Sequence, residues 1–297
     1  MTSRPATTND RGRGRDSASP FRAGGISRLP TADSRLLIFS DLHLPQLPTQ
    51  ESVARVDELA EMLAVEAPRA THIVLLGDIF DFWFEYPHVV PGGFHRLLCA
   101  LRDLVGQGKD VVLFPGNHDF WLGNFFPREI GVRVAEEREI WNVGARRIML
   151  THGDGLNPSD RGYHLLKRLL RNRAAIRAFG LLHPEVAFWL ARSVSRLSRQ
   201  SAEYKRTWKN DRYIPFARRC IAEGIDTVVV AHTHTAQTVD LAPGLLVNPG
   251  DWLRRRSFAR IDAERTGVLT WPERSVLPLQ ALSEIGTAPL GGGKMPG

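Results

Sequence analysis

Five short apolar runs in this chain each end in a small polar cluster, and that repetition limits the possible folds more than composition does. RLLIFS runs into DLH, HIVLL into GD, DVVLFP into GNHD, RRIML into THGD, and DTVVV into AHTH. Continuous aliphatic and β-branched stretches of this length, closed by turn residues, predict strands buried on both faces. Segments with helical periodicity lie between the first three, at about 50–67 and 93–107. Strands alternating with helices predict an α/β sheet, and in such sheets ligands gather beyond the carboxyl ends of the strands. All five clusters are therefore expected along one rim.

After Asp154 the strand rhythm stops for about seventy residues and helical patterns take over, near 160–173, 184–198 and 201–223. In the second of these, Val186, Leu190, Val194 and Leu197 share one face by i, i+4 and i+3 steps. An insertion at about 155–225, between two strand-end clusters, is expected to cap the rim. It also carries the chain's positive charge: from Gly155 to Arg212 there are thirteen Lys and Arg against four Asp and Glu, while the whole chain nets +7. The remainder is slightly acidic, so the cap is where an anionic partner would be met. The strand rhythm resumes at Asp226, and GLLVNPGDW, SFARID and GVLTW read as strands and hairpin turns.

These patterns predict a domain over 35–272, with a disordered basic tail at 1–34 that includes Arg4, Arg11, Arg13 and Arg15, and a loosely structured tail at 273–297. The tail at 1–34 has no apolar core of the secretory type, and no run of eighteen apolar residues occurs, which together predict a cytoplasmic protein. Cys99 and Cys220 stand far apart in helical patterns without CxxC spacing, and both are expected to be buried thiols.

The clusters pool Asp41 and His43, Asp78, Asn117 with His118 and Asp119, His152, and His232 with His234. Imidazole, carboxylate and amide ligands on neighbouring strand ends suit one or two divalent first-row metals, and the lack of a thiolate sets the group apart from structural zinc sites. In Asp-x-His and His-x-His an extended chain would put both side chains on one side, making a two-pronged clamp. A single Asp-x-His or Gly-Asp says little, because Asp and Gly are common turn residues. The isolated His72, His88, His95, His164 and His183 read as ordinary surface or core histidines. Five such clusters in one order, each after an apolar run, carry the inference.

DLH, GDIFD, GNHD, HGD and AHTH together resemble the signature of the calcineurin-like metallophosphoesterases over about 36–235. The resemblance implies an α/β sandwich of two β-sheets flanked by helices, here with an inserted helical lid. It implies that Asp41, His43, Asp78 and His234 hold one metal and that Asp78, Asn117, His152 and His232 hold the other, with Asp78 bridging. Two such cations lower the pKa of a water, clamp a phosphate oxygen and offset charge in an in-line displacement. His118 resembles the family's histidine that is not a ligand and is expected to protonate the leaving oxygen or stabilise the transition state, with Asp119 orienting it. Asp81, three residues after Asp78, is expected either to support a ligand or to cap a helix.

GDIFDFW followed by EYPHVVP, GNHDFWLG and HGDGLNPSDRGY resemble more narrowly the branch that contains the UDP-2,3-diacylglucosamine pyrophosphohydrolases of lipid A biosynthesis. That likeness implies hydrolysis of the pyrophosphate at the UMP side, with water attacking the UMP phosphorus, to give UMP and 2,3-diacylglucosamine 1-phosphate, with two divalent ions, usually Mn²⁺; the residue types themselves accept Mn²⁺, Fe or Zn²⁺. Asn117, Asp160 and Tyr163 are expected to bind substrate, with Ser198, Arg199 and Lys205 as further contacts to glucosamine or phosphate. In the insertion, Leu165, Leu166, Leu169 and Leu170 form a stripe beside Lys167, Arg168, Arg171 and Arg173. Its apolar side is expected to hold acyl chains and its basic side to meet the anionic inner membrane from the cytoplasmic face; an ordinary capping helix pair would show the same pattern. The chain departs from the branch at His118, where the better-known pyrophosphohydrolases carry arginine. A phosphoesterase acting on another diester, pyrophosphate or nucleic acid is the first alternative. The arginines of the N-terminal tail suit nucleic acid, but the aromatic and apolar lid favours lipid. A scaffold that has lost its metals is the second, and the filled ligand positions oppose it.

Overall fold

The computed structural model describes residues 30–86, 88–90, 92–156, 161–190, 193 and 213–280. Two six-stranded sheets form the body. The first runs in the order β11 (Thr266–Thr270), β10 (Ser257–Ile261), β1 (Leu36–Phe39), β2 (His72–Leu76), β3 (Asp110–Phe114) and β4 (Arg133–Val134). The second runs β12 (Leu279–Gln280), β8 (Gln237–Asp240), β9 (Leu245–Asn248), β7 (Thr227–Val230), β6 (Arg146–Thr151) and β5 (Arg138–Val143). β1, β2 and β3 are parallel neighbours, as are β6 and β7, so their carboxyl ends share one edge.

Alternation along each strand explains the continuous apolar runs. Leu36 and Ile38, Val74 and Leu76, and Val112 and Phe114 face the second sheet, where Ile148, Leu150, Val229 and Val247 meet them. The residues between, Leu37, Phe39, Ile73, Leu75, Val111 and Leu113, pack outward under α1 (Gln50–Glu66) and α2 (His95–Gly106) through Leu59, Met62, Leu63, Leu97, Leu101 and Leu104. Each central strand is thus covered on both sides and has no polar face to alternate with. The second sheet has its own outer layer, in which Phe216, Ala217, Cys220 and Ile221 of α6 (Ile214–Ala222) cover Val228, Val230 and Leu246.

That layer corrects the insertion's boundary. α6 begins with Pro215 in its first turn and belongs to the body, so the lid covers less than 155–225. Its described parts are α3 (Arg161–Leu170), α4 (Arg173–Phe179) and a helical stretch at 184–190, α5. The body also extends past the expected limit at 272, because Leu277 donates to Val268 O at 2.8 Å and β12 pairs in parallel with β8. A two-residue edge strand has too little pattern to be read from sequence. Of the two thiols, Cys220 is buried but Cys99 is exposed: Leu97, Leu98, Leu101 and Leu104 take the inner face of α2, and Cys99 lies off it.

Candidate active site

Past the strand ends the chain stays zipped together. Asp41 N donates to Gly77 O at 3.1 Å, His43 N to Asp78 O at 3.0 Å and Leu44 N to Ile79 O at 3.0 Å, joining the DLH loop to the GDIFD loop. The second sheet is tied in through His152, whose Nδ1 lies 2.8 Å from Leu76 O and whose carbonyl accepts Ala231 N at 2.9 Å. Gly77 and Gly116 make the close approach possible. A Cβ on Gly77, at φ +83°, would come within 2.6 Å of His152 Nδ1, and one on Gly116 within 2.2 Å of Asp78 Oδ1.

Asp41, His43, Asp78, His232 and His234 all have left-handed backbone, with φ of 53°, 47°, 53°, 68° and 56°. The expected extended clamps are therefore corrected: these residues lie beyond β1, β2 and β7, in turns whose backbone curls back over the rim. A non-glycine residue in this region costs about 1–2 kcal/mol, and such strain concentrates at functional sites. Among the described residues only Arg256 and Arg274 share it elsewhere.

The side chains of the expected ligands converge in two groups, Asp41 with His43 and His234, and Asp78 with His152 and His232, and His43 forms a third with Asp81 and His118, each with ligand atoms within 4.8 Å of one another. His234 Nε2 and His43 Nε2 face Asp41 Oδ1 at 3.3 and 3.7 Å, yet this buried oxygen accepts no hydrogen bond. Asp78 Oδ2 lies 3.7 Å from His43 Nε2 and 3.4 Å from His152 Nε2, between the two groups. Asn117 Oδ1 stands 3.3 Å from His152 Nε2, and His232 Nδ1 is at the same distance from that nitrogen. Buried nitrogen and oxygen lone pairs aimed at shared points, with few hydrogens between them, fit divalent cations.

Electrostatics point the same way. Burial opposes ionisation of Asp41, but His234, His43 and His152 hold its pKa at about 2. Asp78 is likewise held well below the carboxylate range against burial, chiefly by His152 and His118. Burial would lower His43, yet Asp41, Asp81 and Asp78 raise it to about 10; burial and His152 bring His232 down to about 4. The pocket thus keeps buried anions that need positive charge beside them.

Asp119 does something other than expected. It is fully buried, and its carboxylate accepts Gly116 N at 2.8 Å, Asp78 N at 3.2 Å, Ile79 N at 2.8 Å and Phe80 N at 3.3 Å. It clips the GNHD loop to the GDIFD loop. The group near His118 is Asp81, whose carbonyl oxygen lies 3.3 Å from His118 Nδ1, while its carboxylate lies 3.4 Å from His43 Nδ1. Burial, helped by His43 and opposed by Asp78, lowers the His118 pKa.

Three supporting residues escaped the sequence reading. Asp251 is buried with Oδ2 3.8 Å from His234 Nδ1, and its other oxygen accepts Arg254 N and Arg255 N. Asn248 donates to Thr233 Oγ1 at 2.8 Å, bracing the HTH loop. Asp154 Oδ2 meets Tyr163 OH at 2.8 Å and Lys167 Nζ at 2.7 Å. NPGD read as a turn, and only the fold shows that two of its side chains turn back to the rim.

A model of the calcineurin-like phosphoesterases, by its description "Calcineurin-like phosphoesterase", matches residues 34–236. The chain belongs to this family. UDP-2,3-diacylglucosamine hydrolase of Porphyromonas gingivalis is 31% identical over 246 residues, which cover 76% of this chain and 93% of that one. The Pseudomonas putida protein of the same name is 30% identical over 237 residues, covering 77% and 95%. Among solved structures, Yfce, a phosphoesterase from E. coli, aligns at a TM-score of 0.43 and 15% identity, covering 82% of this chain and 97% of that one. As a calcineurin-like phosphoesterase the chain is a metal-dependent phosphoester hydrolase, and divalent metals are its cofactors.

Of the expected substrate contacts, Asp160, Ser198, Arg199 and Lys205 lie outside the described residues. Tyr163 OH donates to Asp154 Oδ2 at 2.8 Å. The lid's polarity differs in part from that expected. Lys167 and Arg171 are only 16% and 23% exposed and pair inward with Glu137 and Asp154, whereas Leu165 is 71% exposed, with Leu166 and Leu169 also outward. Acidic partners on the body draw these cations in and turn the leucines out. Arg168, Arg173 and Arg177 stay exposed beside them.

Proposed function

We propose that this phosphoesterase hydrolyses the pyrophosphate of UDP-2,3-diacylglucosamine to UMP and 2,3-diacylglucosamine 1-phosphate with two divalent ions, Mn²⁺ by preference, at the cytoplasmic face of the inner membrane. The observation that carries this reading is an apolar lid anchored beside the ligand rim. Phe179 and Phe188 pack on Phe82, Phe84, Tyr86 and Trp121, residues that directly follow the GDIFD and GNHD clusters. Leu165, Leu169, Leu181 and Trp189 remain outward, an apolar surface of the kind that meets acyl chains or a bilayer. The names of the two relatives supply the nucleotide and the sugar.

In this reading Asp41, His43, Asp78 and His234 hold one cation, and Asp78, Asn117, His152 and His232 the other. When bound, the cations supply Lewis-acid charge and a water of lowered pKa. Asp78 faces both groups, and Asp119 fixes the backbone on which Asp78 and Asn117 stand. His118, with Nδ1 turned to the Asp81 carbonyl, has Nε2 left for the leaving oxygen, and Tyr163 and Asn117 border the substrate. His118 favours a second reading, a phosphoesterase of broader diester specificity, because the better-known pyrophosphohydrolases that these motifs resemble carry arginine there. Purified protein with Mn²⁺ is expected to release UMP from UDP-2,3-diacylglucosamine, and Asp78→Ala or His118→Ala to abolish release. No UMP, with brisk cleavage of a simple phosphodiester, would establish the second reading.

A further inference from the structure

Asp154 sits two residues after His152, between Gly153 at φ +113° and Gly155 at φ +74°, in a turn that leads to the lid. It is buried, and donors from α3 and from the residue that follows it meet its side chain. Tyr163 OH donates to Oδ2 at 2.8 Å, and Lys167 Nζ reaches the same oxygen at 2.7 Å and the Asp154 carbonyl at 3.2 Å. Arg171, one turn on, lies 4.0 Å from Oδ2. Glu137, just before β5, pairs with Lys167 at 2.9 Å and with Arg171. Tyr163 and Lys167 are spaced i, i+4 on α3, and Arg171 follows directly after its last residue, so one side of the helix and its end face this cluster. A second strut comes from the GNHD side, where Trp121 Nε1 donates to Leu170 O at 2.9 Å.

We propose that Asp154 with Lys167 is a latch that sets the lid's position relative to the metal-ligand rim, and so makes Asp154 and Lys167 positioning residues for the lid-bound part of the substrate. The latch lies on the chain segment that carries His152, so α3 cannot shift without breaking charge-assisted bonds to the loop beside the rim. Partly buried bonds of this kind are the strong ones. It follows that Lys167, held by Asp154 and Glu137, is a fastening and is not free to bind anionic substrate groups. The proposal rests on the reading that a lid-bound group of the substrate is recognised here. It does not depend on which ester is cleaved.

The test uses Lys167→Met, which keeps the stem and removes the charge, with Lys167→Arg, which restores a cation and is expected to recover most of the loss, as the rescue variant. Amide hydrogen exchange over Arg161–Leu170 is expected to accelerate about tenfold or more in Lys167→Met, the equivalent of one lost charge-assisted bond. The KM for UDP-2,3-diacylglucosamine is expected to rise by a similar factor, with kcat and the hydrolysis of bis(p-nitrophenyl) phosphate, which is too small to need the lid, within about twofold. Exchange and KM both unchanged in Lys167→Met would overturn the latch, as would equal losses on both substrates. If the wild type releases no UMP, the substrate reading fails, and faster exchange in the variant still supports the latch while unchanged exchange still refutes it.

Discussion

Replacing Asp119 by asparagine tests whether this carboxylate serves the backbone or the chemistry. Its two oxygens accept four N–H groups, those of Gly116 and Asp78 on one and those of Ile79 and Phe80 on the other, and it is fully buried. An asparagine keeps one oxygen and turns an NH₂ group toward two of those donors. Each buried N–H left without an acceptor costs about 1–3 kcal/mol, so two give about 2–6 kcal/mol. One effect works the other way. Burial and the neighbouring Asp78 push the Asp119 pKa up to about 6, so removing the charge relieves some repulsion. The net expectation is a loss of about 3 kcal/mol, a large share of the roughly 5–15 kcal/mol that stabilises a domain. Urea denaturation of both proteins reads it directly, as a lower midpoint with an unchanged slope. A loss below about 0.5 kcal/mol, the usual size for an unremarkable surface change, would refute the clip and return Asp119 to a role on His118.

Glu139 offers a pH-dependent test away from the rim: it pairs with Arg133 at 2.6 and 2.8 Å and accepts Trp141 Nε1 at 2.7 Å. Burial opposes its ionisation, but Arg133 and Trp141 hold its pKa below the ordinary 4.5, so the stability it adds is full above that pH and is lost as pH falls through the depressed folded value. Glu139→Gln should therefore cost about 1–2 kcal/mol at pH 7 and progressively less in acid, and a cost that does not vary with pH would contradict the pairing. Gly77→Ala should drive a methyl group against His152 and lower kcat/KM by about 100-fold, together with metal content measured by elemental analysis. Full metal loading and activity would show that the rim tolerates the shift. Leu165→Ser combined with Leu169→Ser should weaken flotation on anionic liposomes at least tenfold, since each buried leucine contributes about 1.5–3 kcal/mol. Unchanged flotation would exclude α3 as a membrane contact.

The sequence disclosed the body of the fold and the candidate ligands because both depend on local signals. A strand covered on both faces leaves an unbroken apolar run, as in HIVLL and DTVVV, and the turn that ends it displays its polar residues in sequence order. What it could not disclose depends on contacts between distant segments. The left-handed backbone at Asp41 and His234 comes from loops curling over one another, where an extended clamp looked natural. Asp119 binds residues some forty positions away, and Lys167 and Arg171 face inward because Glu137 and Asp154 wait for them on the body. Helical spacing located the two faces of α3, but which one would be buried was decided by charges outside the helix. Asp251 gave no signal at all, since a Gly-Asp pair in a turn has its own local reasons to exist.

The most direct measurement for the whole account is hydrolysis of UDP-2,3-diacylglucosamine by the Mn²⁺-loaded protein in ¹⁸O-water, with both products weighed by mass spectrometry. Equal amounts of UMP and 2,3-diacylglucosamine 1-phosphate are expected, with one ¹⁸O in the UMP and none in the sugar phosphate. Label in the sugar phosphate, or no products from a metal-loaded protein that cleaves simple diesters, would contradict it.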